Sequence, residues 1–313
     1  MTARLDILQA GPHVTFQDAG RPGLMRFGVP ASGAMDRKAL VIANTALGNP
    51  PGATGVEVSF GGLSLLCQDG PVGVAIAGGG FIATRNDTRL GSWTTLTLRP
   101  QDRLVIRPGP WGSWCCVAFA GSVQSPTWLK SASTHAASGL GGGRLLAGQQ
   151  ITVTDTHPTD ERAIPCPVWA RPRHRINVTL GPQDALFAPE VIGAFLSSPF
   201  RLTGAFDRMG MRLSGPPLVP EAALGIPSQP VTRGAVQVAG DGVATVLLAD
   251  HQTTGGYPKI ATILDDDTDS LAQLRPGEHL VFTAITPARA IHLARQRDAA
   301  FKRWLAALQK ART

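Results

Sequence analysis

The chain has 313 residues, of which 43% are hydrophobic and 16% charged, and its formal net charge is +7. This composition excludes an intrinsically disordered protein, and the length allows one large domain or two domains of about 150 residues. No apolar run reaches the roughly 18 residues that a membrane span needs, and no secretory signal is visible. We therefore expect a cytoplasmic protein that does not enter a membrane.

The positive charge comes mainly from arginine, since the chain has only five lysines. It is accompanied by no basic tract interleaved with aromatic residues and by no helix-turn-helix or RNA-recognition motif, so we expect no nucleic-acid partner. Cys67, Cys115, Cys116 and Cys166 follow no zinc-binding spacing. They predict buried free thiols and no metal site.

Short apolar runs separated by turn residues dominate the chain, which holds 36 glycines and 25 prolines. This pattern predicts β-strands. In the first half, Leu63 to Leu66 and Val72 to Ala77 flank a Gln-Asp-Gly turn, which predicts a hairpin. From Pro287 to Thr313, apolar residues recur on one helical face, which predicts a packing helix.

The two halves of the chain repeat each other. Residues 98–106 resemble residues 274–282 at an offset of 176, and the predicted hairpin resembles residues 234–249 at a similar offset. Matches in one order at similar offsets indicate duplication of a β-rich unit. We predict an all-β fold of two similar barrels or sandwiches over residues 1–160 and 170–290, with a helix over 291–313. A linker is predicted within 156–175.

A glycine-rich stretch of the first half contains the first candidate binding residues, Gln17, Asp18, Arg21 and Asp36. Glycine allows close approach of the backbone to a ligand, and either aspartate can orient Arg21 through a charge-assisted bond. The alternative is structural: an aspartate that braces a turn through backbone N–H groups.

Three polar residues of the second half are further candidates. Arg208 and Arg212 are four residues apart in a strand-like context, which predicts one shared face suited to a carboxylate or phosphate. Gln237 alternates with Val236 and Val238, so it is predicted to face a cleft. A brace between arginine and aspartate, and a surface glutamine, are the structural alternatives.

The densest polar cluster follows the apolar strand that ends at Ala249. It supplies donors, acceptors and one mobile positive charge, a set suited to the edge of an amide. Its residues are Asp250, Gln252, Thr253, Thr254, Gly255, Gly256, Tyr257 and Lys259. The matching position of the first half is Ala77 followed by three glycines, so we expect the site in the second half, with a structural turn as the alternative. No P-loop or nucleophile elbow is present, which argues against a self-contained ATPase or serine hydrolase.

These motifs, above all residues 250–258 together with 17–23, 33–36 and 207–215, resemble the KipA-type family, also called the carboxyltransferase C/D family or allophanate hydrolase subunit 2. The resemblance covers nearly the whole chain. It implies a pair of cyclophilin-like β-barrels, in agreement with the repeat.

The resemblance also implies a function. Family members are similar to the C subunit of ATP-dependent 5-oxoprolinase, which opens a cyclic amide to L-glutamate together with two partners, one of LamB/YcsF type (the A subunit) and one of KipI type (the B subunit). ATP would then enter through the complex. In this interpretation Asp250, Lys259 and Arg208 are catalytic, and the other candidates bind the substrate.

Two other functions fit the same family. One is the carboxyltransferase component of a biotin-dependent, urea carboxylase-like enzyme, with biotin presented by another protein because this chain has no Met-Lys-Met segment. The other is a non-catalytic regulator that binds a KipI-like partner. The chain also departs from the family pattern: Ser228-Gln229-Pro230 replaces Ser-Glu-Gly, and Ala132 replaces an arginine.

Overall fold

The computed structural model describes residues 1–221 and 226–311. It divides the chain into two compact units. The first contains Met1–Arg21, Ser32–Arg171 and the residues from Lys302 onward, and the second contains Pro22–Ala31 and Pro172–Phe301. Within the described ranges, no helix is both long enough and apolar enough to cross a bilayer.

The first unit is built from two antiparallel sheets. Its strands are β1 (Thr2–Ala10), β2 (Thr15–Gln17), β3 (Gly55–Val58), β4 (Leu63–Asp69), β5 (Val72–Ala77), β6 (Gly80–Arg85), β7 (Thr88–Arg89), β8 (Thr94–Leu98), β9 (Arg103–Trp111), β10 (Cys115–Phe119), β11 (Ser122–Gln124), β12 (Gln150–Thr154) and β13 (Arg162–Ala163). One sheet has the order β11-β12-β1-β4-β9-β6-β7 and the other β13-β8-β5-β10-β3-β2. Alternate residues of both sheets, such as Leu65 and Val117, are buried in one shared core.

A helix, α1 (Arg37–Leu47), packs against β5 and β10. It begins where the Asp36 carboxylate accepts the N–H of Ala39 at 2.9 Å, a standard N-cap bond. It ends at Gly48, whose φ of 81° suits glycine.

The second unit is a closed barrel. Its strands are β14 (Arg175–Leu180), β15 (Phe200–Phe206), β16 (Gly210–Ser214), β17 (Gln229–Pro230), β18 (Ala235–Val238), β19 (Ala244–Leu247), β20 (Thr254–Gly255), β21 (Lys259–Ile263) and β22 (His279–Ala284). The barrel order is β14-β21-β18-β19-β16-β15-β22, closed by the parallel pair β14 and β22, while β17 and β20 form a separate two-stranded ribbon. Closure removes the exposed sheet edges that an open sheet would leave.

Three further helices complete the described chain: α2 (Pro189–Ser197), α3 (Asp265–Ala272) and α4 (Pro287–Lys310). Phe195 of α2 stacks on Phe282 of the barrel with ring centroids 4.5 Å apart. Buried Asp267 of α3 accepts bonds from Arg173 at 2.9 Å and Arg297 at 2.8 Å. The stacked rings thus hold α2 on the barrel, and the bond from Arg297 joins α4 to α3.

The all-β class and the C-terminal helix are confirmed, but two local predictions are wrong. The residues predicted as a hairpin, β4 and β5, belong to different sheets of the first unit. Their counterparts in the second unit, β18 and β19, do form an antiparallel pair. Cys166 is exposed, whereas the other three cysteines are buried as predicted.

Candidate functional site

A cavity of about 740 Å³ lies over β16, β19 and β18 of the second unit. Val236 and Val246, on the other side of these strands, are fully buried, whereas Arg212 on the cavity side reaches solvent. The cavity therefore opens on the outer face of the barrel. It is lined by Gly204, Ala205, Phe206, Asp207, Met209, Gly210, Arg212, Gln237, Ala239, Asp241, Val243, Thr245, Leu247, Gln252 and Tyr257.

Strand pairing places three polar residues in one row across this face. Arg212 pairs with Thr245, and Thr245 pairs with Gln237. Paired residues of neighbouring strands lie about 5 Å apart and point to the same side of the sheet. The row thus runs from half-exposed Arg212 to buried Gln237. Lys259 on β21 follows Gln237 across a register shift; it is buried and does not line the cavity.

Two hydrogen-bond donors near the buried end of the row have no partner among the described residues. They are Nε2 of Gln237 and Nζ of Lys259, in residues only 4% and 3% exposed. Nε2 of Gln252 donates to Oε1 of Gln237 at 3.2 Å. This bond uses the oxygen of the Gln237 amide and leaves its Nε2 as a donor. Because buried donors are almost always satisfied, Nε2 of Gln237, which lines the cavity, suits an oxygen atom of a ligand.

Burial also changes the chemistry of Lys259. It lowers the pKa of this ammonium group below its ordinary value, because a charged group loses solvation when it is buried. An anionic or strongly polarised oxygen would restore the stability of the charged form. The site is therefore suited to a ligand oxygen on which negative charge develops.

Arg208 and Asp250 form a buried bidentate pair. Nε and Nη2 of Arg208 lie 2.8 Å and 2.9 Å from the two carboxylate oxygens of Asp250, and the N–H of Asp250 donates to the Arg208 carbonyl at 2.8 Å. Neither residue lines the cavity. Arg208 lies in the turn before β16, so the prediction that it shares a strand face with Arg212 is wrong.

The mouth of the cavity combines an ion pair with exposed apolar groups. Nη2 of Arg212 lies 2.6 Å from Oδ2 of Asp241, and both side chains are about half exposed. Tyr257 and Met209 are 55% and 36% exposed at the same cavity. Neither Asp241 nor Thr245 was predicted as a site residue, although strand alternation from Leu247 places Thr245 on the cavity side.

The remaining residues of the predicted cluster, Thr253 to Gly256 and Lys259, do not line the cavity. Thr254 and Gly255 form β20, which pairs with β17. Gly255 nevertheless packs on the site, because a Cβ atom there would lie 2.7 Å from Nε2 of Gln237. This ribbon therefore covers the glutamine side chain.

The first-unit candidates form a separate structural network. Asp18 accepts bonds from the Ser131 and Ser133 hydroxyls, each at 2.6 Å, and from the N–H of Ala132 at 2.7 Å. Arg21 donates to the carbonyl of Trp128 at 2.9 Å and also to that of Ser133. Buried Gln17 donates to the carbonyl of Thr134 at 3.1 Å, and Asp36 caps α1. The bonds made by these residues fix loops of the first unit.

A larger cleft of about 800 Å³ in the first unit offers a weaker case for a site. Its polar groups bind each other: Arg85 lies 2.8 Å from Glu161, and Asn86 donates to Asp102 at 2.9 Å. None of the buried, unpartnered polar atoms among the described residues belongs to this cleft. The smaller cavity of the second unit therefore remains the candidate site.

Residues 27–284 match the family described as carboxyltransferase domain, subdomain A and B. The chain belongs to this carboxyltransferase family. The C subunit of 5-oxoprolinase from Escherichia coli K12 is 32% identical to it over 293 residues, which cover 92% of this chain and 93% of that protein.

Two solved structures share the fold. A crystal structure of TTHA0988 is 32% identical with a TM-score of 0.79 and covers 90% of this chain, which spans 56% of that chain. The crystal structure of the urea carboxylase of Kluyveromyces lactis gives a TM-score of 0.85 at 24% identity. The match covers 96% of this chain and 29% of the urea carboxylase chain. This second likeness concerns the fold alone.

Proposed function

We propose that this chain is the C subunit of an ATP-dependent 5-oxoprolinase complex, which activates the lactam of 5-oxoproline for hydrolysis to L-glutamate. Similarity over nearly the full length of the E. coli protein supports this assignment. The observation that carries it is a buried amide donor on the wall of a cavity of about 740 Å³, Gln237 Nε2, which has no partner among the described residues. The buried Lys259 ammonium group lies at the paired position of the next strand.

The proposed chemistry begins at the carbonyl oxygen of the lactam. Activation moves electron density from the ring nitrogen onto this oxygen, and donors already in place stabilise the developing charge without further rearrangement. Lys259 contributes a charge and Gln237 a directional N–H. Gln252 orients the Gln237 amide through its 3.2 Å bond.

Arg208 and Asp250 are positioning residues in this proposal. Their bidentate bonds hold the start of residues 250–258, from which Gln252 and Tyr257 reach the cavity. Replacing Asp250 would remove the carboxylate from the buried Arg208, and breaking such a buried ion pair costs about 3–5 kcal/mol. Loss of activity in Asp250→Ala would therefore report on folding as much as on chemistry.

Partners and ATP belong to the complex as a whole. We propose a KipI-type protein as the B subunit, a LamB/YcsF-type protein as the A subunit, and ATP supplied through them because this sequence has no P-loop. The second candidate function is a biotin-dependent carboxyltransferase component, which the carboxyltransferase family match favours. The reactive ring of biotin is also a five-membered N–C=O unit, so it offers the same oxygen to the two donors.

The test is ATP-dependent glutamate release by the reconstituted complex, with a variant whose closest contact is the donor. In Gly255→Ala, the new methyl group would displace the Gln237 amide, since a Cβ atom at this position lies 2.7 Å from Nε2. We expect kcat/KM to fall about 100-fold, as for the loss of one oxyanion donor.

Gly193→Ala is the matched control, because a Cβ atom on Gly193 in α2 meets nothing within 4 Å. It should retain full turnover. Equal glutamate release by the two variants would reject Gln237 as the donor, and carboxyl transfer from biotin in place of glutamate release would reject the proposed function.

A further inference from the structure

We infer that Arg212 and Asp241 select ligands that carry a carboxylate, with the ligand replacing Asp241 on the guanidinium group. This inference rests on the proposed function, because it places the amide oxygen of the ligand on Gln237 and Lys259. It adds a specificity determinant, Asp241, at the opposite end of the same polar row.

The spacing of the row fits a small ring with two oxygen-bearing groups. Arg212 lies two strands away from Gln237, with Thr245 between them. At about 5 Å per strand, their Cα atoms are roughly 10 Å apart. The long arginine side chain on the same face shortens this gap. A five-membered lactam with a carboxylate on the ring can therefore contact both Arg212 and Gln237.

The pair between Arg212 and Asp241 is suited to exchange. Both side chains are about half exposed, and ion pairs in such positions contribute little to stability. The recorded bond uses only Nη2 of Arg212, whereas a free carboxylate can bind the guanidinium fork with two parallel bonds.

The other oxygen of Asp241 is held independently of Arg212. Oδ1 of Asp241 accepts the backbone N–H of Val243 at 3.0 Å. This bond keeps the aspartate in its turn when the ion pair with Arg212 breaks. The second carboxylate of the cavity, Asp207, is engaged by the backbone N–H groups of Met209 and Gly210 at 2.7 Å and 3.2 Å. Asp241 is thus the carboxylate that an incoming ligand replaces.

Calorimetric titration of the full chain with two ring analogues tests the inference. 5-Oxoproline carries a carboxylate, whereas 2-pyrrolidone is the same lactam without it. We expect Arg212→Gln to weaken binding of 5-oxoproline about 10- to 100-fold, the effect of losing a charged hydrogen bond, and to leave 2-pyrrolidone unchanged. Asp241→Asn should tighten binding of 5-oxoproline only, because it removes the competing carboxylate.

The first unit offers a matched control. Arg4 and Asp69 form an ion pair of the same 2.6 Å length with 54% and 57% exposed side chains. Arg4→Gln and Asp69→Asn should change the affinity for neither 5-oxoproline nor 2-pyrrolidone. Equal binding of the two lactams, an equal loss of both in Arg212→Gln, or no binding of either would overturn the inference. If the chain binds 5-oxoproline more tightly than 2-pyrrolidone but its complex releases no glutamate, the inference stands and only the proposed reaction is rejected.

Discussion

Lys259 is an unusual residue because its ammonium group is buried without a partner among the described residues. Burying an uncompensated charge costs free energy, and proteins retain such groups mainly where they act on a ligand. The lowered pKa of Lys259 has the same cause. Function and stability should therefore respond in opposite directions when this charge is removed.

We expect Lys259→Met to stabilise the folded chain by about 1–3 kcal/mol, since a methionine side chain fills similar space without the desolvation cost. The same variant should lose glutamate release in the reconstituted complex. Urea denaturation measures the first effect. The control is Lys130→Met, because Lys130 is exposed and its replacement should change neither quantity. A destabilised Lys259→Met would show that the ammonium group has a structural partner.

The difference in stability between Lys259→Met and the wild-type chain should depend on pH in a defined direction. In the folded chain the pKa of Lys259 lies below its ordinary value of 10.5, so between these two values the unfolded chain binds more protons. The stability of the wild-type chain therefore rises with pH across this window. The advantage of Lys259→Met should be largest below the window and disappear near pH 10.5. An advantage that grew with pH would contradict the burial of a charged lysine.

Sequence reasoning at the residue scale succeeded where strand periodicity decided the outcome. Alternation with Val236 and Val238 was enough to place Gln237 on the other side of β18, where the cavity lies. It could not show that Arg208 and Asp250 bind each other, because 42 residues separate them along the chain. Proximity of that kind depends on the closed barrel, which no local pattern encodes.

The repeated segment provides a second comparison, at the scale of one turn. In the first unit the N–H of Arg99 donates to the Asp102 carboxylate at 2.9 Å. In the second unit the N–H of Arg275 donates to the Glu278 carboxylate at 2.7 Å. The N–H of each acidic residue returns a bond to its arginine carbonyl. The sequence repeat is therefore also a repeat of hydrogen bonding.

The two turns differ at one left-handed position. Gln101 has a φ of 73°, and its counterpart Gly277 has a φ of 96°. Glycine adopts this region without the steric cost that a Cβ atom imposes, which is about 1–2 kcal/mol. We expect Gly277→Ala to destabilise the chain by about 1 kcal/mol, although its Cβ atom meets nothing within 4 Å.

The reciprocal change, Gln101→Gly, should leave stability unchanged or raise it, because relief of strain offsets the greater freedom of the unfolded chain. Thermal unfolding measures both. Destabilisation by the two substitutions to an equal extent would mean that the turns are not equivalent.

Similar sequence did not guarantee similar pairing of whole strands. The segments around Asp69-Gly70 and Asp241-Gly242 look alike, yet β4 and β5 enter different sheets while β18 and β19 form a hairpin. The turn residues specify a change of direction in both cases. Whether the next strand pairs with the preceding one depends on which neighbours are available, since β5 lies between β8 and β10. Long-range pairing therefore overrides the local hairpin signal.

For the molecule as a whole, the two units have different roles in the proposed function. The first-unit candidates Asp18 and Arg21 are bound to their own loops. The cavity with a buried donor that lacks a partner among the described residues, Gln237 Nε2, lies in the second unit. The repeat therefore supplies two related scaffolds, of which we assign one to the ligand. Neither scaffold carries a nucleotide-binding loop in its sequence.

It follows that the isolated chain should bind 5-oxoproline but release no glutamate from it, with or without ATP. Turnover should appear only when the KipI-type and LamB/YcsF-type partners are both added, because activation of the lactam and delivery of ATP energy would then involve different polypeptides. Coupled assays for ADP and glutamate, run with each partner omitted in turn, measure this dependence. ATP-dependent glutamate release by the chain alone, abolished in Gly255→Ala but kept in Gly193→Ala, would place the complete reaction within this one polypeptide and contradict the division of labour.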